Sequence, residues 1–366
     1  MKGECLVTII TPVFNGEKYL DRYFENIDKL TYRNLQIIVV NDGSADASSK
    51  KISEYASQDR RILFLDKHIN EGVSCARNDA LDNAKGKFIF MFDCDDTFEP
   101  DIISSCINTV KSDTETVAYN YASVRRSGDI AKHEFSYAVG DYSGKEIVDR
   151  ILPHSFGTSI EEVKEYLKGR RTMRQGKELN GPWRLMYSKE VIDREHIRFD
   201  KNLKVGEDTV FTNEYLALSE TVYAIDKVLY YLHNNDDSTI DTYNRNVQRM
   251  IDGKLLLIEA KTKLSNRLLK RGIKTEKLWG GEYVLSSVQI GWSLAQFRDI
   301  TLKEKCALLR KYHDNNSVKK IWCKISTREI LECKSIKAVP VLFLKANMIW
   351  LTECLMCILS RMGFKM

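Results

Sequence analysis

The chain has 366 residues, 43% of them hydrophobic and 29% charged, which excludes a disordered or fibrous protein and leaves ample chain for one large domain or two. Its formal net charge of +5 hides an asymmetry: residues 1–235 hold 32 basic and 38 acidic side chains, residues 236–366 hold 24 and 13. The front is acidic, at −6, and the rear basic, at +11.

The spacing predicts short strands over Leu6–Ile10, Leu35–Val40, Ile62–Leu65 and Phe88–Phe92, each an apolar run rich in β-branched or aromatic residues. Helix-length segments separate them at Gly16–Leu30, Ala45–Gln58 and Val73–Ala84, with Ser44 and Ser74 as capping residues for the later two. Strands alternating with helices at this interval imply parallel βαβ units and an α/β doubly wound sheet. In such sheets ligands sit beyond the carboxyl ends of the strands, where Thr11, Asn41-Asp42 and Asp93 fall.

From Thr116 to about Ile240 the pattern loosens, with a strand at Val117–Tyr121, a polar stretch from Glu161 to Asn180 and a strand-like run Leu229-Tyr230-Tyr231-Leu232. The basic segment Lys168-Gly169-Arg170-Arg171-Thr172-Met173-Arg174 reads as a solvated loop or helix face. From Asn244 the signal is helical, through Met250–Leu269 and shorter pieces to Arg361. The most apolar stretch, Val339–Phe364, is interrupted by Lys345, Glu353 and Arg361, and lacks the ~18 uncharged apolar residues of a spanning helix. It either packs on the body of the protein or lies in a membrane interface beside its basic neighbours. Nine cysteines, an odd number without framework spacing, and no apolar leader behind Met1-Lys2-Gly3-Glu4 together predict a reducing, cytoplasmic protein, peripheral on the inner membrane face if those helices touch lipid. Cys354-Leu355-Met356-Cys357 sits in an apolar helical pattern and reads as core packing.

The chemistry concentrates at Phe92-Asp93-Cys94-Asp95-Asp96, where carboxylates cluster at the end of a buried strand. Like charges this close repel, and hard oxygen ligands suit Mg²⁺ or Mn²⁺. The alternative is an acidic turn after a strand.

Six motifs stand in order: Thr11-Pro12-Val13-Phe14-Asn15, Asp42-Gly43-Ser44-Ala45-Asp46, Asn70 through Asn78, the acidic cluster, Gly181-Pro182-Trp183 and Gly206-Glu207-Asp208. In these the chain resembles the inverting family 2 glycosyltransferases of the nucleotide-diphospho-sugar transferase (GT-A) fold, over roughly residues 5–240. The resemblance implies a catalytic domain over 1–240, with a donor-binding half to about 115 and an acceptor half over 116–240, followed by a basic helical region over 241–366. It implies that Asp95 ligates a divalent cation and Asp93 contacts the ribose or the metal, with Asp96 ranked below them and His233 as a further ligand, a phosphate contact or an ordinary edge histidine. Pro12, Phe14, Asn15, Asn70 and Arg77 would border the donor, and Asp42 would accept from a uracil N–H. Asp208 would be the general base, Glu207 would hold the acceptor, and Trp183 would offer a flat face to a sugar ring.

The implied reaction moves a sugar from a nucleotide-diphospho-sugar, favoured as UDP-linked, to a glycan or lipid-linked acceptor of surface-polysaccharide type. The basic rear region can serve acceptor binding, self-association or membrane contact; a homo-oligomer is compatible. Two departures stand out: Arg184-Leu185 after the Trp, and the acidic Asn234-Asn235-Asp236-Asp237-Ser238 beside His233. A nucleotidyltransferase would show a Gly-rich basic loop after strand one, and a dinucleotide dehydrogenase G-x-G-x-x-G; neither is there. A silent scaffold of a polysaccharide-assembly complex would lack the carboxylates. Nucleic-acid binding finds no recognised module.

Overall fold

β-Branched residues suit a pleated surface covered on both faces, and all of Val7–Val13 except Pro12 is buried in the first strand. The computed structural model describes residues 5–168, 177–178, 180–233, 246–332 and 338–362. The strands in chain order are β1 (Val7–Val13), β2 (Leu35–Asp42), β3 (Ile62–Lys67), β4 (Phe88–Met91), β5 (Thr97–Phe98), β6 (Thr116–Val124), β7 (Ile130–His133), β8 (Gly140–Ser143), β9 (Leu185–Ser188) and β10 (Thr221–His233). The helices α1 (Glu17–Lys29), α2 (Ser48–Gln58) and α3 (Val73–Asn83) connect the first four strands.

β3, β2, β1 and β4 lie side by side and parallel, as the βαβ spacing predicts. Beyond β4 the sheet becomes mixed: β9 enters antiparallel, followed by β6, β10 and β5, with β7 on β6 and β8 on β10. Side chains from both halves meet in one core that includes Tyr23, Phe24, Phe90, Phe92, Tyr119, Trp183 and Tyr230. The serine caps do not form. α2 starts after Ala47 and α3 after Gly72, neither with a side-chain cap; Ser44 Oγ instead accepts from Asn15 N at 2.9 Å, and Ser74 lies inside α3.

The chain divides into two compact units, Met1–Ser155 with Glu178–Asp236, and Phe156–Lys177 with Asp237–Met366. The sequence pattern predicts 156–177 as part of the front domain. Packing assigns it to the second unit: Lys261 Nζ, buried, donates to Phe156 O (2.8 Å) and to Glu282 (2.6 Å), and the helix Ile160–Leu167 turns Ile160, Val163 and Leu167 toward Val284, Ile325 and Val341. The remainder of that unit is helical, with its longest element at Val247–Leu269. Most of the basic run after Lys168, the acidic run after His233 and Asn244 lie outside the described residues. The apolar stretch near the end forms two helices, Ala338–Lys345 and Ile349–Arg361. Among the described residues no helix is long and apolar enough to cross a membrane.

Candidate functional site

The loops after β1, β2 and β3 brace one another. Asn15, in the left-handed region at φ 49°, accepts from Ala45 N through Oδ1 at 2.8 Å, and leaves Phe14 52% exposed beside Pro12. Asp42 is buried, its carboxylate accepting from Glu71 N (3.1 Å) and Gly72 N (2.7 Å), with Lys67 Nζ at 3.7 Å. In this structure Asp42 anchors the exposed Asn70-Glu71 loop, which differs from the expected outward contact with a base. Gly43 stands at φ +68°, and a Cβ there would lie 2.5 Å from Asn70 N, so the close loop approach requires glycine.

The acidic turn is held from beneath. Asp93 N donates to Tyr230 Oη at 3.1 Å, Tyr230 Oη–H donates to Asp96 Oδ2 at 2.8 Å, and His233 N donates to Asp96 Oδ1 at 2.8 Å. Asp96 is buried, and burial followed by the charges of Asp95 and Asp93 pushes its carboxyl well above the ordinary range. It therefore supports the turn from inside, whereas Asp93 and Asp95 remain partly exposed. Arg22, from α1, donates to the Asp95 backbone oxygen. His233 Nε2 pairs with Thr97 Oγ1 at 2.9 Å, and burial together with the Arg22 charge lowers its pKa. Among the described residues no three His, Cys, Asp or Glu side chains stand together as a metal-binding group, so Asp93, Asp95 and His233 are not a preformed ligand set. Mg²⁺ is commonly held by one or two carboxylates plus substrate phosphates, a pattern that the partly exposed Asp95 and Asp93 fit.

Arg77 is the centre of the cluster. Its Nη1 donates to Asp208 Oδ1 at 2.7 Å and its Nη2 to Asp93 Oδ1 at 3.1 Å, with Glu207 Oε1 3.6 Å from Nη1. The guanidinium lies over the Phe199 ring, 5.3 Å from its centroid. The neighbouring Asn78 side chain donates to Phe199 O and accepts from Phe199 N, both at 2.9 Å. Consecutive residues of α3 thus fix the approach to the helix Glu207–Leu218, whose first turn carries the two acids behind Gly206 in the left-handed conformation. The Arg77 side chain is 4% exposed, whereas those of Asp93 and Asp208 are 31% and 32% exposed. The carboxylates open to solvent and the arginine does not, so Arg77, expected at the donor, is engaged by the acids. Burial and the Asp208 charge push Glu207 up to about 8. Burial also raises Asp208, while Arg77 pulls it back down.

Trp183 departs from its expected role as an exposed platform. It is buried, stacked on Tyr230 at 4.7 Å and met edge-on by Tyr121. Arg184 beside it pairs with buried Glu178 and lies over the Phe135 ring, 4.6 Å from its centroid, so this departure from the motif is packed inward. Arg22 and Tyr230 support the acidic turn without belonging to any of the sequence motifs. The alternation Leu229-Tyr230-Tyr231-Leu232 signals that Tyr230 faces opposite to Tyr231, but nothing local to Arg22 points to a partner 73 residues away.

A mixed sheet with a parallel donor-type half and clustered acids at its strand ends defines the GT-A class of nucleotide-diphospho-sugar transferase folds. Residues 8–182 match the family described as Glycosyl transferase family 2. It is 31% identical to glycosyltransferase GlyA of Streptococcus pneumoniae over 61% of this chain and 30% of that protein. It is 28% identical to EpsH of Bacillus subtilis over 65% of this chain and 64% of that one. The chain therefore covers less than two thirds of either relative's length. The fold is similar to a crystal structure of S. aureus TarS 1-349 in complex with UDP-GlcNAc, with a TM-score of 0.58 at 15% identity, over 98% of this chain and 92% of that one.

Proposed function

We propose that this protein is an inverting glycosyltransferase that moves a sugar, hexosyl or N-acetylhexosaminyl, from a UDP-linked donor to a hydroxyl of a glycan or lipid-linked acceptor in cell-surface polysaccharide synthesis. The observation that carries the proposal is the gathering of Asp93, Asp208 and Glu207 around one buried guanidinium at the strand ends. The family match and the UDP-GlcNAc in the TarS structure support the donor class.

Phe14 and Pro12 border the base, Asn15 braces their loop, and Asn70 lines the opposite edge. The partly exposed Asp208 carboxylate takes the acceptor hydroxyl proton as that oxygen bonds to the anomeric carbon. The bond from the anomeric carbon to the phosphate oxygen breaks on the opposite face, and the nucleoside diphosphate leaves with the electron pair, which inverts the configuration. Burial and the neighbouring Asp208 charge raise the Glu207 carboxyl, which favours its protonated form, able to donate to an acceptor oxygen. A divalent cation held by Asp95 and Asp93 would supply Lewis-acid stabilisation of the diphosphate charge.

Hydrolysis of a panel of UDP-sugars by the purified protein, with Mn²⁺ and with chelator, tests the proposal. Metal-dependent UDP release from one sugar is the expected result. A panel in which no UDP-sugar is bound or cleaved contradicts the UDP-donor reading.

A further inference from the structure

The helix Ile349–Arg361 carries large apolar residues on its outward face as well as its inward one. Its inward face, Ile349, Thr352, Glu353, Met356 and Leu359, is buried, and the helix packs against Gly281–Gln296 and Leu302–His313. Its outward face repeats at intervals of four residues through Trp350, Cys354, Ile358 and Met362. Trp350, Ile358 and Met362 are 59%, 56% and 68% exposed. A helix on the surface of a soluble protein ordinarily turns polar residues outward, and one that is apolar all round is covered by something.

The charges on this hairpin are one-signed where solvent reaches them. Between Ala338 and Met362 the sequence holds only Lys345, Glu353 and Arg361 as charged residues, and Glu353 is buried. What remains is an apolar stripe with an exposed cation, Arg361, at its far end and an exposed Trp near the turn, while Lys345 in the preceding helix is half-buried and donates to Trp322 O. That combination matches a membrane interface, where Trp and Lys or Arg sit at headgroup level and apolar residues enter the acyl boundary. A second copy of the chain fits less well. With each large side chain worth on the order of 200 Å² when fully exposed, Trp350, Ile358 and Met362 at these exposures offer roughly 350–400 Å², below the ~800 Å² per partner of a standard stable interface.

We infer that the outward face of Ile349–Arg361 docks on an anionic lipid surface, lying in the interface without crossing it. The wider excess of basic residues over 236–366, 24 against 13 acidic, adds attraction to anionic headgroups at low salt. The inference stands independently of the sugar-transfer proposal.

The test is flotation of the full chain with vesicles of phosphatidylcholine, with and without phosphatidylglycerol, beside its elution on size-exclusion chromatography without lipid. The expected result is association with the phosphatidylglycerol vesicles that weakens as salt rises, and a fall of about tenfold or more for Trp350→Ser combined with Ile358→Ser. Should that pair misfold, Arg361→Glu, an exposed charge reversal, is expected to weaken binding to anionic vesicles selectively. Two outcomes overturn the inference. One is a wild-type chain that floats with neither vesicle; the other is a lipid-free dimer that Trp350→Ser with Ile358→Ser dissociates, which would assign the face to a second copy.

Discussion

Arg77 and Asp208 stand 131 residues apart in the chain and 2.7 Å apart in space, with the second guanidinium nitrogen on Asp93. One rigid fork thereby sets the separation of the two carboxylates on which the proposed reaction depends.

Replacing that fork with a single ammonium separates geometry from charge. Arg77→Lys keeps the cation but cannot bond both acids in fixed directions. The expected outcome is a fall in kcat of about 10–100-fold with donor KM changed less than about threefold, because the interaction is made to catalytic groups and not to donor. Initial-rate kinetics check it, and an equal rise in KM would return Arg77 to the donor pocket.

The same pair predicts a pH profile. A base works only when ionised, and burial raises the Asp208 carboxyl while Arg77 lowers it. The acid limb of the rate profile is expected above the ordinary carboxylate value of about 4, with activity lost as pH falls through it. Arg77→Met removes the lowering charge and should move that limb to higher pH.

Phe14 is 52% exposed in the loop after β1 and stands outside the main hydrophobic core. If it walls the base, Phe14→Ala should weaken UDP binding by about 1–3 kcal/mol, the usual worth of a base stacked on an aromatic ring, and leave the melting temperature almost unchanged. Calorimetric titration with UDP distinguishes this from a bystander loop.

The second unit makes a separate prediction. Glu353 is fully buried, neither carboxyl oxygen has a hydrogen-bond partner among the described residues, and burial pushes it up to about 8 despite the Lys305 charge. The folded value exceeds the unfolded one, so the native state binds the proton more tightly. The stability this contributes is complete below about pH 4.3 and is lost as pH rises toward the folded value. Wild type should lose ~2–4 kcal/mol more stability between about pH 5 and pH 8 than Glu353→Gln does. Denaturant unfolding at the two pH values measures the difference.

The sequence disclosed the parallel half of the sheet because β1 to β4 are continuous apolar runs whose pairing follows from the helices between them. It disclosed the position of the acids for the same reason: Asp93 and Asp95 follow β4 directly. What it did not disclose is made by long-range contacts. That Asp96 turns inward depends on Tyr230, 134 residues away, and that Trp183 is covered depends on the same ring. Asp42 reads identically as a ligand contact or a loop anchor until Glu71 N and Gly72 N are found on its oxygens. The antiparallel entry of β9 beside β4 has no local sequence signal, since a four-residue strand carries almost no periodicity.

The central claim is that Asp208 is the base, and Asp208→Asn tests it most directly when transfer and donor binding are measured on the same preparation. Transfer should fall by about 10²–10⁴-fold while affinity for the UDP-sugar stays within about twofold. Retained transfer, or a parallel loss of donor binding, would contradict the assignment.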